Sequence, residues 1–193
     1  MEPTVLSKCR LSRPSQLLLL ALARDSIRHG VQAGRPLTII LEELADELVV
    51  PRASFVTLER KGRLRGCIGS LEAWRPLAVD VAENAFAAAF RDPRFPPVQE
   101  GEVEELEIHL SLLTPPVAMT FSSETDLLDQ LRPGVDGLIL SDGSCRGTFL
   151  PSVWAELTTP QLFLTQLKRK AGLAADYWSP GVRIWCYETE LVE

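Results

Sequence analysis

Twice in this chain a short β-type run is followed by a polar turn containing glycine, a returning arm with an Arg-Gly pair, an apolar helix and a further strand. The first pass runs through residues 54–58, a charged turn at 59–63 with Gly62 in it, and the arm Leu64-Arg65-Gly66-Cys67-Ile68-Gly69. The second runs through Leu138-Ile139-Leu140, a turn at 141–144, and the arm Cys145-Arg146-Gly147-Thr148-Phe149-Leu150. Two β-type runs joined by a short glycine-containing loop read as a hairpin. The helices expected next cover residues 77–91 and about 160–171, and alternating strands at 106–112 and 182–188 close each pass. This is read as a divergent internal duplication of a strand-strand-helix-strand unit. It predicts an α+β fold of mainly antiparallel sheets with flanking helices, in two unequal lobes. The first lobe, with the N-terminal helices, spans about 15–113; the second repeat spans about 134–190.

The remaining elements follow from periodicity and punctuation. The first dozen residues read as a loose arm, and a helix is expected from about Ser15 to Gly30, with Pro14 and Ser15 as its start and His29-Gly30 as its stop. Lys8, Arg10 and Arg13 ahead of Leu17 to Ala23, with Ala21-Leu22-Ala23, also resemble a signal peptide. The pattern Leu20, Ala23, Ile27, Val31 continues past that point and favours a mature amphipathic helix. A second, acidic helix is expected over residues 41–48, ended by Pro51. The helix at 77–91 is apolar nearly all round, so it is buried on most faces, with Asn84 as its polar exception. Asp92-Pro93-Arg94-Phe95-Pro96-Pro97 ends it. Along 106–112, Leu106, Ile108, Leu110 and Leu112 share one face and Glu107, His109 and Ser111 the other. Ser122 or Ser123 caps a short helix around 124–131.

Charge and cysteine content narrow the function. Twenty Lys and Arg against 26 Asp and Glu give a net charge of −6, which argues against a nucleic-acid or anionic-membrane partner. The basic run Lys168, Arg169 and Lys170 has the sign that a helix C-terminus favours. The four cysteines (Cys9, Cys67, Cys145, Cys186) are dispersed, which fits free thiols in a cytoplasmic setting. No apolar run reaches the ~18–20 residues that span a bilayer. Two isolated histidines and dispersed cysteines match no zinc spacing, and no phosphate-cradling or dinucleotide fingerprint is present. Neither metal nor cofactor is expected.

Within the first arm, Gly66 and Gly69 stand where a strand prefers β-branched residues. Such glycines mark a bulge or a close approach to the backbone. They bracket Cys67, which has two readings: a nucleophilic thiol favoured by Arg63 and Arg65, or a small buried hydrophobe beside Ile68. Arg65 and Arg146 also have two readings. Together they hold a small carboxylate or phosphate ligand, helped by backbone amides freed at the glycines, or each pairs with a local carboxylate. Asn84, Asp92 and Arg94 join Arg65, Gly66, Gly69 and Arg146 as candidate ligand-binding residues in a cleft lined by the Arg-Gly arms and the Asp92 to Phe95 turn. In the structural reading Asn84 anchors a nearby loop and Asp92 caps a turn that Arg94 bridges.

Val56-Thr57-Leu58, the Leu64 to Gly69 string, Asn84, Asp92-Pro93-Arg94-Phe95, Phe149-Leu150-Pro151, Val153-Trp154 and Lys170-Ala171-Gly172-Leu173 occur in the order of the AMMECR-type domain. The chain therefore resembles the family called AmmeMemoRadiSam system protein A, over nearly its whole length, as a single domain covering 1–193. The resemblance implies an α+β domain of two unequal lobes, no settled activity, and association with a Memo-like protein and a radical SAM protein. His109 departs from the family pattern and takes no role from it. Two classes of function follow. One is a non-catalytic binding or adaptor component of such a system. The other is a thiol-dependent enzyme with Cys67 as nucleophile and Arg65, Arg146 and Asn84 positioning a small anionic substrate. The absence of an evident base favours the first.

Overall fold

The computed structural model describes residues 10–193, so most of the expected N-terminal arm lies outside the described residues. They form two compact units, one running to Thr114 and including Glu190–Glu193, the other Pro115–Thr189. No helix among the described residues is long and apolar enough to cross a membrane.

The first unit begins with α1 (Arg13–Ala33), which is longer at both ends than its sequence suggests. Ser12, not Ser15, is the N-cap, accepting from the Ser15 N–H, and the helix passes through Gly30 to stop at Gly34 with φ +68°. Gly30 is there for room: a Cβ would lie 2.4 Å from the Phe90 ring. The helix also continues through the Ala21-Leu22-Ala23 position, with Leu19, Ala23 and Ile27 buried. The expected acidic helix is a correction. Residues 41–48 form a 3-10 turn, Leu41–Glu43, and a single-turn α2 (Asp46–Val49), separated by extended Leu44 and Ala45. Neither piece has a side-chain cap, and Leu48 is their only buried residue. That is too little to offset the cost of nucleating a longer helix.

The hairpin forms as β1 (Ser54–Arg60) and β2 (Arg63–Gly69), and α3 (Leu77–Phe90) follows. A 3-10 turn, Glu100–Glu105, leads into β3 (Leu106–Leu113), and β8 (Thr189–Val192) completes an antiparallel sheet in the order β2-β1-β3-β8. Val56 and Leu58 of β1 and Ile108, Leu110 and Leu112 of β3 are buried with Ala78, Val81, Ala85 and Ala88 of α3 and Leu19, Ala23 and Ile27 of α1. Each such large aliphatic side chain contributes about 1.5–3 kcal/mol on burial. The alternate residues Phe55, Thr57, Glu59, Glu107, His109 and Ser111 lie on the sheet's other face, as a period of two requires.

The second unit repeats the plan. After the short β4 (Val117–Ala118) and α4 (Glu124–Gln130), capped by Ser123, come β5 (Gly137–Asp142) and β6 (Cys145–Phe149). Then follow α5 (Pro160–Lys170) and β7 (Arg183–Tyr187), in a sheet ordered β4-β7-β5-β6. Trp154 is part of this core: it stacks on Phe163 at 4.0 Å between centroids, and its indole N–H donates to the Asp136 carbonyl at 2.7 Å. In both units the order is returning arm, first strand, closing strand, with antiparallel pairing throughout. The glycine of each Arg-Gly pair does the same job. A Cβ on Gly66 would lie 2.2 Å from the Ala88 carbonyl oxygen of α3, and one on Gly147 2.9 Å from the Ala171 nitrogen just after α5. Each arm is flat there so that its helix can rest on it.

Candidate functional site

The first hairpin carries the groups singled out by the sequence. Its register pairs Leu58 with Gly66 but Glu59 with Leu64, so Arg65 is the extra residue of a β-bulge. The bulge takes Arg65 out of the strand's alternation. Its guanidinium forks onto Glu102, Nε to Oε1 at 3.1 Å and Nη2 to Oε2 at 3.0 Å. Glu102 also accepts from Arg60 Nη1 at 2.9 Å and the Gln99 N–H at 2.9 Å. Held first by Arg65, its carboxyl is drawn down to about 2. Arg65 thus pairs with a local carboxylate. Gly69 is occupied as well, for the Phe55 ring opposite lies where its Cβ would be, 2.3 Å away.

Asp92 is buried and ties the turn after α3 to the arm. Its Oδ2 accepts from the Cys67 N–H at 2.9 Å and from Arg94 Nη2 at 2.7 Å; its Oδ1 accepts from the Arg94 N–H at 3.1 Å and Nε at 2.9 Å. The Arg94 fork holds the Asp92 carboxyl well below the usual carboxylate range. Arg94 Nη2 reaches the Cys67 carbonyl at 3.3 Å, while its side chain stays about half exposed (53%). Cys67 is half-buried, and the Thr57 hydroxyl donates to its Sγ at 3.3 Å.

Beneath the hairpin, Asn84 anchors the start of β1: its Nδ2 donates to the Ser54 carbonyl at 3.0 Å and to Asp80 Oδ2 at 2.8 Å. Asp80 is the centre of this knot and was not picked out from sequence. It accepts from the Ser54 N–H and hydroxyl, the Ser70 hydroxyl and Arg75 Nε, at 2.6–2.8 Å. Its signal was its spacing, four residues before Asn84 on a helix whose only other polar residue is Glu83, which puts Asp80 and Asn84 on one face. Arg146 lies on β6 opposite Ser141, in the second unit, exposed and with an interaction of its own. Lys168, read as part of a basic helix end, is buried and donates to Glu124 Oε1 at 2.7 Å.

Strand pairing also assembles a row that spacing along the chain does not reveal. Thr57 faces Cys67 on one side and His109 on the other, and Glu59 faces Glu107. One ligating atom each from Glu59, Glu107 and His109 lie within 4.8 Å of one another. His109 Nδ1 is shielded from solvent and makes no hydrogen bond among the described residues; its nearest charged neighbour is Glu193 Oε1 at 3.5 Å.

Comparison with known proteins places these features in a wider set. The family model AMMECR1 matches residues 20–192. A protein of Methanothermobacter thermautotrophicus is 38% identical over 183 residues, covering 94% of this chain and 95% of its own length. One from Methanopyrus kandleri is 36% identical over 182 residues, covering 91% and 86%. The crystal structure of an uncharacterized protein from Pyrococcus horikoshii is similar, with a TM-score of 0.82 and 30% identity over 94% of this chain and 92% of that one.

Proposed function

The chain belongs to the AMMECR1 family, and from that premise we propose that it is a binding component without chemistry of its own. It works in the cytoplasm beside a Memo-like protein and a radical SAM protein, as part of an AmmeMemoRadiSam-type system. The observation that supports this most is the engagement of Arg65. The side chain best suited to grip an anionic substrate is already forked onto Glu102, and Asn84 is committed to Ser54 and Asp80. What the hairpin presents instead is a turn fixed by Asp92, with the half-exposed Arg94 guanidinium on it. A surface held in one conformation before contact loses little entropy on docking. Co-purification of the tagged full chain with the Memo-like and radical SAM proteins tests the reading. Retention of at least one of them supports it, and retention of neither removes it.

A second reading, a thiol-dependent enzyme acting through Cys67 on a small anionic substrate, is favoured by the Thr57 hydroxyl donating to Sγ at 3.3 Å. Labelling with a thiol reagent across pH separates the two. A single fast cysteine with a midpoint well below ~8.5, abolished by Cys67→Ser, selects the enzyme; uniformly slow labelling selects the binding component. Cys186 is an internal reference, because burial pushes its thiol up to about 12.

A further inference from the structure

We infer that Glu59, Glu107 and His109 form a site for one divalent transition-metal cation on the outward face of the first sheet. Glu59 and Glu107 are direct cross-strand partners in the β1–β3 ladder. Like charges directly opposite one another destabilise a sheet, yet no ion pair reaches either carboxylate among the described residues. The neighbouring cations are turned elsewhere: Arg60 to Glu102 and Glu105, and Lys61 to Glu105.

The third donor comes from the same face. His109 stands two residues beyond Glu107, so the strand's period places both side chains together, with ligating atoms of all three within 4.8 Å. Donors each about 2.0–2.2 Å from one ion stand no more than about 4.4 Å apart, so small rotations of the two glutamate side chains close the set around it. His109 is half-buried, and its Nδ1 has no hydrogen bond although water does not reach it. A buried polar nitrogen left in this way needs a partner. Glu193 Oε1, 3.5 Å from Nδ1, lies beyond a good hydrogen bond but close enough to orient the ring or add a third carboxylate. One imidazole with carboxylates favours Mn²⁺, Fe²⁺ or Zn²⁺ over thiolate-seeking Cu⁺. The ion would bridge β1 and β3 at the end of the row that contains Thr57 and Cys67. This inference is independent of which function the family member performs.

Mn²⁺ is the probe, because it is indifferent to the free thiols. The full chain is stripped with a chelator, dialysed against Mn²⁺, and followed by electron paramagnetic resonance and thermal melting. Expected are uptake of one ion per chain, a rise in melting temperature, and affinity lowered more than about tenfold by His109→Gln and by Glu59→Gln. Without metal, Glu59→Gln melts higher than the parent, since the like-charge pair is relieved; this also shows that the variant folds. Uptake unchanged in both variants, or no saturable uptake up to millimolar Mn²⁺, overturns the site.

Discussion

The backbone N–H of Cys67 donates to the Asp92 carboxylate at 2.9 Å, and so joins the Leu-Arg-Gly-Cys-Ile-Gly arm to the Asp-Pro-Arg-Phe turn. The two strings, 25 residues apart, are one piece of structure. Asp92 is its acceptor and the Arg94 fork is its lock. Asp92→Asn keeps the shape but loses the charge that the fork needs. The expected loss is about 2–3 kcal/mol in urea unfolding, with faster hydrogen exchange at the Cys67 amide. An unchanged midpoint and unchanged exchange would show the tie to be idle.

Two glycines in the same hairpin separate steric room from backbone freedom. Gly62 has φ +70° and nothing within 4 Å of a Cβ, so alanine there meets only the left-handed penalty, about 1 kcal/mol. At Gly66 a methyl meets the Ala88 carbonyl at 2.2 Å, and backbone must move. Gly66→Ala is expected to cost about 3 kcal/mol and to lower the melting temperature well beyond Gly62→Ala. Equal effects would mean that α3 does not rest on the arm as described.

Acid should act through Glu102. Its carboxyl ordinarily titrates near 4.5 and is drawn down to about 2 in the folded chain, first by Arg65. Below 4.5 the unfolded chain takes up this proton and the folded chain does not. The stabilisation is therefore complete above pH 4.5 and lost as pH falls towards 2. Its size is of the order of 2–3 kcal/mol. Asp92 is shifted in the same direction, so Glu102→Gln should flatten the acid limb of a stability–pH profile in part. A profile identical to the parent's would contradict the assignment.

Lys168 and Glu124 in the second unit predict an asymmetry. The Lys168 side chain is 1% exposed and Glu124 26%. Glu124→Gln leaves a buried ammonium unpaired, at a cost of about 3 kcal/mol. Lys168→Met leaves a carboxylate that can turn to water, while methionine fills the space beside Trp178, whose ring lies 5.4 Å from Nζ. Chemical denaturation of both variants checks the order: Glu124→Gln should be the less stable.

Local pattern carried most of the architecture. Leu106, Ile108, Leu110 and Leu112 alternate with Glu107, His109 and Ser111, and β3 buries the first set and turns the second outward. The twice-occurring hairpin, helix and closing strand are the two sheets, and the glycines of the arm announced a bulge that the register contains. Where local signals were ambiguous, packing decided. Gly30 read as a helix stop, yet α1 runs on because Phe86 and Phe90 need the space above it. Residues 41–48 have helical composition but bury only Leu48 and stay in short turns.

By itself, then, the sequence determined most of the strands and helices, though not the break at 41–48 or the short strands β4 and β8, together with the order of the repeat and the family the chain resembles. Those follow from burial periodicity and turn chemistry, which act between near neighbours. Tertiary structure alone decided the partners. Arg65 meets Glu102 37 residues away through a one-residue bulge, Asp80 gathers Ser54, Ser70 and Arg75, and Glu59 faces Glu107 beside His109. Register and helix docking are properties of the whole sheet, and no spacing along the chain specifies which polar groups they bring within reach.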